Sequence, residues 1–269
     1  MDRESHLNEQ RVKTSPLHEK RPFNWKIFLI LTLGPAFVSL LSLPLGAAQL
    51  HITITWTLLL EQFFTSLVIS AILAFLGLSL GRSIGLGAPM MDAWFAGNPD
   101  MPRQFRRTLP LAIGLGIVAG VIIVVLALLM GAFFGYDVFV LHTKTSLSPV
   151  LGLLASFDAP LREEVWFRLG IMTLLIWLGC KLLRREKPSL PILWGGLVVS
   201  ALIFAASHWQ NFPSPTLALV MLAVLTNFVP GLILGWLYWR KGLLVAIVAH
   251  FCGDIIVHVI APTLLLFLK

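Results

Sequence analysis

The sequence has few charged residues. Asp, Glu, Lys and Arg make up only 12% of the 269 residues, about half of the share that soluble globular domains usually carry. Hydrophobic residues make up 57%. This composition excludes a water-soluble enzyme, a disordered chain and a collagen-like repeat, and it indicates an integral membrane protein.

Cysteine is also scarce. The two cysteines, Cys180 and Cys252, lie in or beside apolar stretches, so neither a disulfide framework nor a CxxC metal motif is available. The His-Glu-x-x-His pattern, the commonest one of helical zinc proteases, is absent. No internal repeat of the kind found in many transporters is visible.

Positive charge is concentrated between apolar stretches. Of the twenty Lys and Arg residues, sixteen lie in every second segment outside the apolar stretches, and the segments between these hold only two. By the positive-inside rule, this pattern orients the chain with its amino terminus in the cytoplasm. We therefore predict that the net charge of +7 serves membrane topology and that there is no nucleic-acid partner. Residues 1–26, with six Lys or Arg and no apolar run, are predicted to form a flexible basic cytoplasmic tail.

Seven apolar runs are long enough to cross a bilayer, which takes about 20 residues. They cover residues 27–46, 56–80, 109–134, 148–181, 191–209, 216–239 and 242–268. The predicted fold is an all-α, polytopic transmembrane helix bundle over residues 27–269, with about seven spans and eight as the alternative. Seven spans put the carboxy terminus outside.

The fourth run contains four ionisable residues within seven positions: Arg162, Glu163, Glu164 and Arg168. Each charge at the middle of a spanning helix costs about 2.5 to 3.5 kcal/mol, so these groups must face the bundle interior or a wet cavity. Glu164 and Arg168 are four positions apart and are predicted to form an ion pair. Glu163 points about 100° away and has no local partner, and such a carboxylate is a candidate base.

Two later runs carry histidines. His208 lies at the end of the fifth run, and His250 lies in the seventh, one helical turn before Asp254. Asp254 either holds the tautomer of His250 or faces the same cavity. We expect these groups to meet Glu163 in one polar site.

The two histidines meet only if the fifth helix is tilted or displaced, because in an ideal upright bundle His208 lies deeper than His250. A separation of more than about 10 to 12 Å would remove the hydrolase interpretation.

Three fragments occur in order: Glu-Glu-x-x-x-Arg at 163–168, Phe-x-x-x-His at 204–208 and His-x-x-x-Asp at 250–254. Together they resemble the CPBP family of intramembrane proteases, which includes CAAX prenyl endopeptidases and bacteriocin-processing, Abi-type enzymes. The resemblance covers residues 150–258 and implies a protease-like core at about 148–268. It implies an endopeptidase in a bacterial cell membrane, with the lipid bilayer and a membrane-associated peptide or protein, including a lipidated one, as partners.

The resemblance implies six catalytic residues: Glu163, Glu164, Arg168, His208, His250 and Asp254. Glu163 would be the catalytic glutamate, supported by Glu164 and Arg168. The family commonly has Asn at the last position, where this chain has Asp254. An ionised Asp donates no hydrogen bond to an oxyanion, so Asp254 is either protonated or acts as an acceptor or a metal ligand.

Two mechanisms fit these residues. In the first, Glu163 with His208 deprotonates a water molecule, and His250 with the residue at 254 steadies the oxyanion. In the second, Glu163, His208 and His250 bind Zn²⁺, whose bound water attacks the peptide carbonyl. Neither mechanism needs an organic cofactor.

Two other functions fit the same residues. An ion- or proton-coupled transporter would bind its ion through the buried carboxylates and histidines, and broken helices with paired repeats would favour it. A non-catalytic membrane scaffold would use the Glu and Arg residues to fix helix packing. Glu163 argues against the scaffold, because it is the group least useful for packing.

Overall fold

A computed structural model describes residues 23–50, 52–134, 149–208 and 216–267. All regular structure in these ranges is helical, and seven helices within them are long and apolar enough to cross a membrane. The predicted all-α bundle with seven spans is therefore confirmed. The cytoplasmic amino terminus stays a prediction. The predicted basic tail lies outside the described residues up to position 22, and Trp25 already begins the first helix.

The described ranges contain ten α-helices. In chain order they are α1 Trp25–Leu50, α2 Trp56–Ile84, α3 Pro89–Phe95, α4 Met101–Phe134, α5 Pro149–Glu163, α6 Thr173–Leu182, α7 Leu190–Ser207, α8 Leu217–Lys241, α9 Leu243–Asp254 and α10 Ala261–Phe267. Two π-helical segments continue helices without a break: π1, Glu164–Met172, joins α5 to α6, and π2, Ile255–Ile260, joins α9 to α10.

Local sequence signals set several helix ends. The backbone N–H of Leu58 donates to the Thr55 hydroxyl at 3.2 Å, which caps the start of α2. Gly85, with a φ of 77°, ends the same helix in the left-handed conformation that glycine adopts without strain. Gly242, with a φ of 89°, lets the chain reverse between α8 and α9.

The outer surface of the bundle is apolar. Phe64, Ile72 and Val118 are about half exposed, at 54%, 56% and 48%. Exposed side chains of this kind suit a lipid environment, because lipid tails are as apolar as these side chains. The exposed faces therefore agree with an integral membrane protein.

The continuous helix α5–π1–α6 occupies the interior of the bundle. The helices α1 and α2 pack against it on one side, and α7 and α9 pack against it on another. Leu169 and Met172 of π1 are fully buried. The segment that carries Glu163, Glu164 and Arg168 is thus enclosed by protein, as the cost of placing charges in lipid requires.

Two glycines of α4 bring that helix close to α9. A Cβ atom at Gly116 would meet the carbonyl oxygen of Ala249, and one at Gly120 would meet the carbonyl oxygen of Gly253. Small residues four positions apart allow this backbone approach between membrane helices. The contact fixes the position of α9, which carries His250 and Asp254.

Candidate active site

Glu163, the last residue of α5, lies between two histidines. Its Oε2 atom is 4.0 Å from Nε2 of His208 and 3.8 Å from Nε2 of His250. The two nitrogens cannot be farther apart than the sum of these distances, which is less than a helix diameter of about 10 Å. The structure thus brings the three side chains together as expected. Their catalytic roles, and the displacement of the fifth helix, stay predictions.

His208 has one ring nitrogen fixed by the backbone. It follows the last residue of α7, and its Nδ1 atom is 2.8 Å from the carbonyl oxygen of Phe204. A carbonyl oxygen only accepts hydrogen bonds, so Nδ1 carries a proton. In the neutral ring, Nε2 is then a proton acceptor that faces Glu163.

His250 is oriented by Glu164. Its Nδ1 atom is 2.8 Å from Oε1 of Glu164, and both side chains are buried. The sequence left open whether Asp254 holds the tautomer of His250 or faces the same cavity. In the structure, Glu164 and not Asp254 contacts Nδ1 and so holds the tautomer of His250. Nε2 of His250 then faces Glu163.

Glu164 and Arg168 form the predicted intrahelical ion pair. Oε1 of Glu164 is 3.2 Å from Nη1 of Arg168, and the side chains are 0% and 1% exposed. Arg168 also donates to the carbonyl oxygen of Gly231 at 3.4 Å, and its guanidinium lies 4.2 Å from the ring centroid of Phe204. A buried charge needs such partners, so Arg168 offsets the cost of burying Glu164.

Asp254 approaches the same histidine from the other side. Its Oδ1 atom is 3.6 Å from Nε2 of His250, which is an ion-pair distance and too long for a hydrogen bond. Its Oδ2 atom is buried and has no hydrogen-bond partner among the described residues. The position of Asp254 fits an acceptor or a charge partner for His250.

Part of the site is open to the surface of the protein. The side chains of Glu163 and His208 are 15% and 18% exposed, whereas Glu164 and Arg168 are enclosed. The site therefore combines an accessible pair with a closed set of supporting charges. This division suits hydrolysis, which needs water at the base and fixed electrostatics around it.

A second polar cluster lies one turn before Glu163, and sequence reasoning missed it. Arg162 donates to both carboxylate oxygens of Asp158, at 2.9 and 3.0 Å, and the Ser42 hydroxyl of α1 donates to Asp158 at 2.6 Å. The guanidinium of Arg162 lies 5.1 Å from the ring centroid of Trp166. The four-residue spacing of Asp158 and Arg162 was the available signal.

The predicted zinc site finds no support. Within the described ranges, no group of three or more His, Cys, Asp or Glu side chains is arranged to hold a metal ion. The proposed ligands Glu163, His208 and His250 converge, but they do not form such a group in this conformation. Zinc at these residues stays a prediction.

The seven apolar helices, with a carboxylate between two histidines among them, define a polytopic membrane protein with a polar site in its bundle. Residues 144–256 match the family model of the Rce1-like type II CAAX prenyl endopeptidases. The resemblance that the three motifs predicted is therefore confirmed, and the match supports a CPBP/CAAX intramembrane protease. No curated protein and no solved structure matches the sequence.

The family match favours the protease over the transporter and the scaffold. A CAAX protease family implies a membrane-associated protein or peptide as substrate and a lipid bilayer as surroundings. The seven apolar helices agree with an integral membrane protein. A bacterial cell membrane stays a prediction.

Proposed function

We propose that this protein is an intramembrane endopeptidase that hydrolyses a peptide bond of a membrane-associated peptide or protein, with lipidated peptides as the substrate class. Water activated by Glu163 and His208 is the nucleophile. The observation that carries the proposal is that histidines from two separate helices present Nε2 to the same oxygen of Glu163. The Rce1-like match over the same region supports the substrate class.

The base of this reaction is the pair formed by Glu163 and His208. The distance of 4.0 Å between them leaves them close enough to share one water molecule. As the water oxygen attacks the peptide carbonyl carbon, its proton passes to this pair. The same pair then returns a proton to the leaving amine when the carbon–nitrogen bond breaks, so the protons balance over the cycle.

The oxyanion of the tetrahedral intermediate is stabilised by His250. Because Nδ1 of His250 already donates to Glu164, a hydrogen bond to the oxyanion needs a proton on Nε2. The donor is then the imidazolium. Glu164 at 2.8 Å and Asp254 at 3.6 Å supply the negative charge that stabilises this cation.

The test is cleavage of a prenylated peptide by the purified full chain. Glu163→Gln keeps the size of the side chain and removes the base, so the cleavage rate should fall at least about 100-fold. Glu61→Gln is the matched control, because Glu61 is an exposed glutamate of α2 remote in sequence from the three motifs. It should keep the rate of the unmodified protein.

Full activity of Glu163→Gln would contradict the proposal. Equal rates on the prenylated peptide and on its unlipidated counterpart would contradict the substrate class alone. A chelator arm separates the two mechanisms: loss of cleavage that Zn²⁺ restores would assign the same residues to a metal.

A further inference from the structure

One end of the bundle holds a cleft of about 340 Å³ that the protease site does not use. Three cations line it: Arg107 from the start of α4, and Arg240 and Lys241 from the end of α8. Gln104 lies one turn before Arg107 on the same wall. The turn at Gly242 follows Lys241, and His250 lies seven residues after Leu243, the first residue of α9, so the site is about 10 Å along α9 from this turn.

The described residues do not neutralise the charge of the cleft. No acidic residue lines it, and none of the three cations forms an ion pair with a carboxylate in the part of the chain that the structure describes. Like charges around one cleft repel one another, and an anion bound among them would remove that repulsion. The cleft is therefore suited to an anionic ligand.

Phosphate is the anion that these side chains fit best. The planar guanidinium groups of Arg107 and Arg240 can each donate two parallel hydrogen bonds to phosphate oxygens. Lys241 adds a compact charge, and the amide of Gln104 can donate to a phosphate or to a neighbouring hydroxyl.

The location of the cleft favours a lipid as the source of the phosphate. Arg107 lies near the start of the span Met101–Phe133, and Lys241 ends the span Val220–Lys241, so the cleft lies where lipid headgroups are found. Pro89 and Met90 of α3 supply a less polar wall. We propose that this cleft binds the phosphate headgroup of an anionic membrane lipid.

A lipid in this cleft would hold together the elements that support α9. The backbone N–H of Leu243, the first residue of α9, donates to the carbonyl oxygen of Gly87 at 3.2 Å, and a Cβ at Gly242 would meet Pro89. The headgroup would bridge α4 and α8 beside this turn. Bound lipid therefore raises the thermal stability of the whole chain, whether or not the chain cleaves peptides.

The experiment measures lipid binding to the purified full chain in neutral detergent, through the shift of its thermal unfolding midpoint. Its arms are short-chain phosphatidylglycerol, phosphatidylcholine with the same acyl chains, and inorganic phosphate. Phosphatidylglycerol should bind most tightly. Removing both arginines in R107Q/R240Q should weaken it about 25-fold, at about fivefold for each cation near a membrane surface.

The matched control is R103Q/R106Q, which removes two exposed charges from the same end of α4 without touching the cleft. R103Q/R106Q should change the affinity for phosphatidylglycerol by less than about threefold, because salt screens exposed charges that lie outside the cleft. Equal losses in the two double variants would overturn the proposal, as would equal binding of phosphatidylcholine. Inorganic phosphate binding as tightly as phosphatidylglycerol would assign the cleft to a free anion instead.

If R107Q/R240Q does not fold, crosslinking of a lipid to the unmodified protein tests the proposal instead. A photoreactive phosphatidylglycerol should crosslink to peptides of α3, the start of α4 or the end of α8. Crosslinks confined to other helices would overturn the proposal.

Discussion

Each histidine of the site has one ring nitrogen fixed by an acceptor and another that faces Glu163. For His208 the acceptor is a backbone carbonyl, and for His250 it is the buried carboxylate of Glu164. The two imidazoles therefore differ in charge environment although they face the same oxygen. This difference is the physical basis for assigning proton transfer to His208 and charge stabilisation to His250.

The exchange of Asp254 for Asn tests what this residue supplies. Asp254→Asn keeps the shape and one acceptor oxygen and removes the negative charge beside His250, so it should lower the cleavage rate. The loss should be less than about tenfold, because Glu164 at 2.8 Å still stabilises the His250 cation. Asp254→Ala also removes the shape and the acceptor and should lower the rate about 100-fold or more. The measurement is the initial cleavage rate, with folding checked by thermal unfolding. Equal inactivity of Asn and Ala would mean that the negative charge itself is required.

The sequence predicted the pair of Glu164 and Arg168, but not the partner of Glu164 on another helix. The pairing of Glu164 with Arg168 follows from four-residue spacing within one helix. The hydrogen bond between Glu164 and His250 joins residues 86 positions apart. Spacing carries no information about contacts between helices, so the orienting role of Glu164 required the structure.

At the scale of helices, both π-helical segments begin directly after a site carboxylate. Glu163 is followed by π1 and Asp254 by π2. Wider turns of this kind occur often at functional sites. Their backbone relies on neighbours: the Ser200 hydroxyl of α7 donates to the Phe167 carbonyl oxygen of π1 at 2.8 Å. This partner lies on another helix, so the apolar pattern of the fourth run could not indicate it. The pattern therefore predicted a regular helix and not a π-helical segment.

The close contact between α4 and α9 predicts the effect of a larger residue at Gly116. Gly116→Ala places a Cβ against the backbone of Ala249 and pushes α9 away, which should cost about 1 to 3 kcal/mol of stability. Because α9 carries His250, the cleavage rate should also fall.

Gly114→Ala is the matched control in the same helix, because a Cβ there meets no atom within 4 Å. It should leave thermal stability and cleavage unchanged or slightly improve stability through better helix propensity. If the two variants behaved alike, the close approach of α4 and α9 would not position the site.

For the whole molecule, the seven spans could be predicted because the hydropathy of each span depends only on the residues of that span. All seven candidate helices of the described ranges coincide with predicted apolar runs. The arrangement of the spans was not predictable, since a pattern of apolar residues does not say which helices become neighbours. Glu163 and the histidines converge through packing that only the structure provides.

The orientation of the molecule in the membrane can be measured directly. The positive-inside rule puts Lys187 in the cytoplasm and Thr53 outside. Both residues are exposed, so Lys187→Cys should be protected from an impermeant thiol reagent in intact cells, whereas Thr53→Cys should react. The unmodified chain, with buried Cys180 and partly buried Cys252, gives the background. Reaction on the opposite sides would reverse the predicted topology.

The proposal that Glu163 and His208 act as one base can be tested by comparing kcat/KM of the two single variants with that of the double variant. Residues that act as a unit lose their effect together when either one is removed. The variant carrying both Glu163→Gln and His208→Ala should therefore be no more than about tenfold worse than the poorer single variant. Losses that multiply, or a single variant with full activity, would contradict the claim.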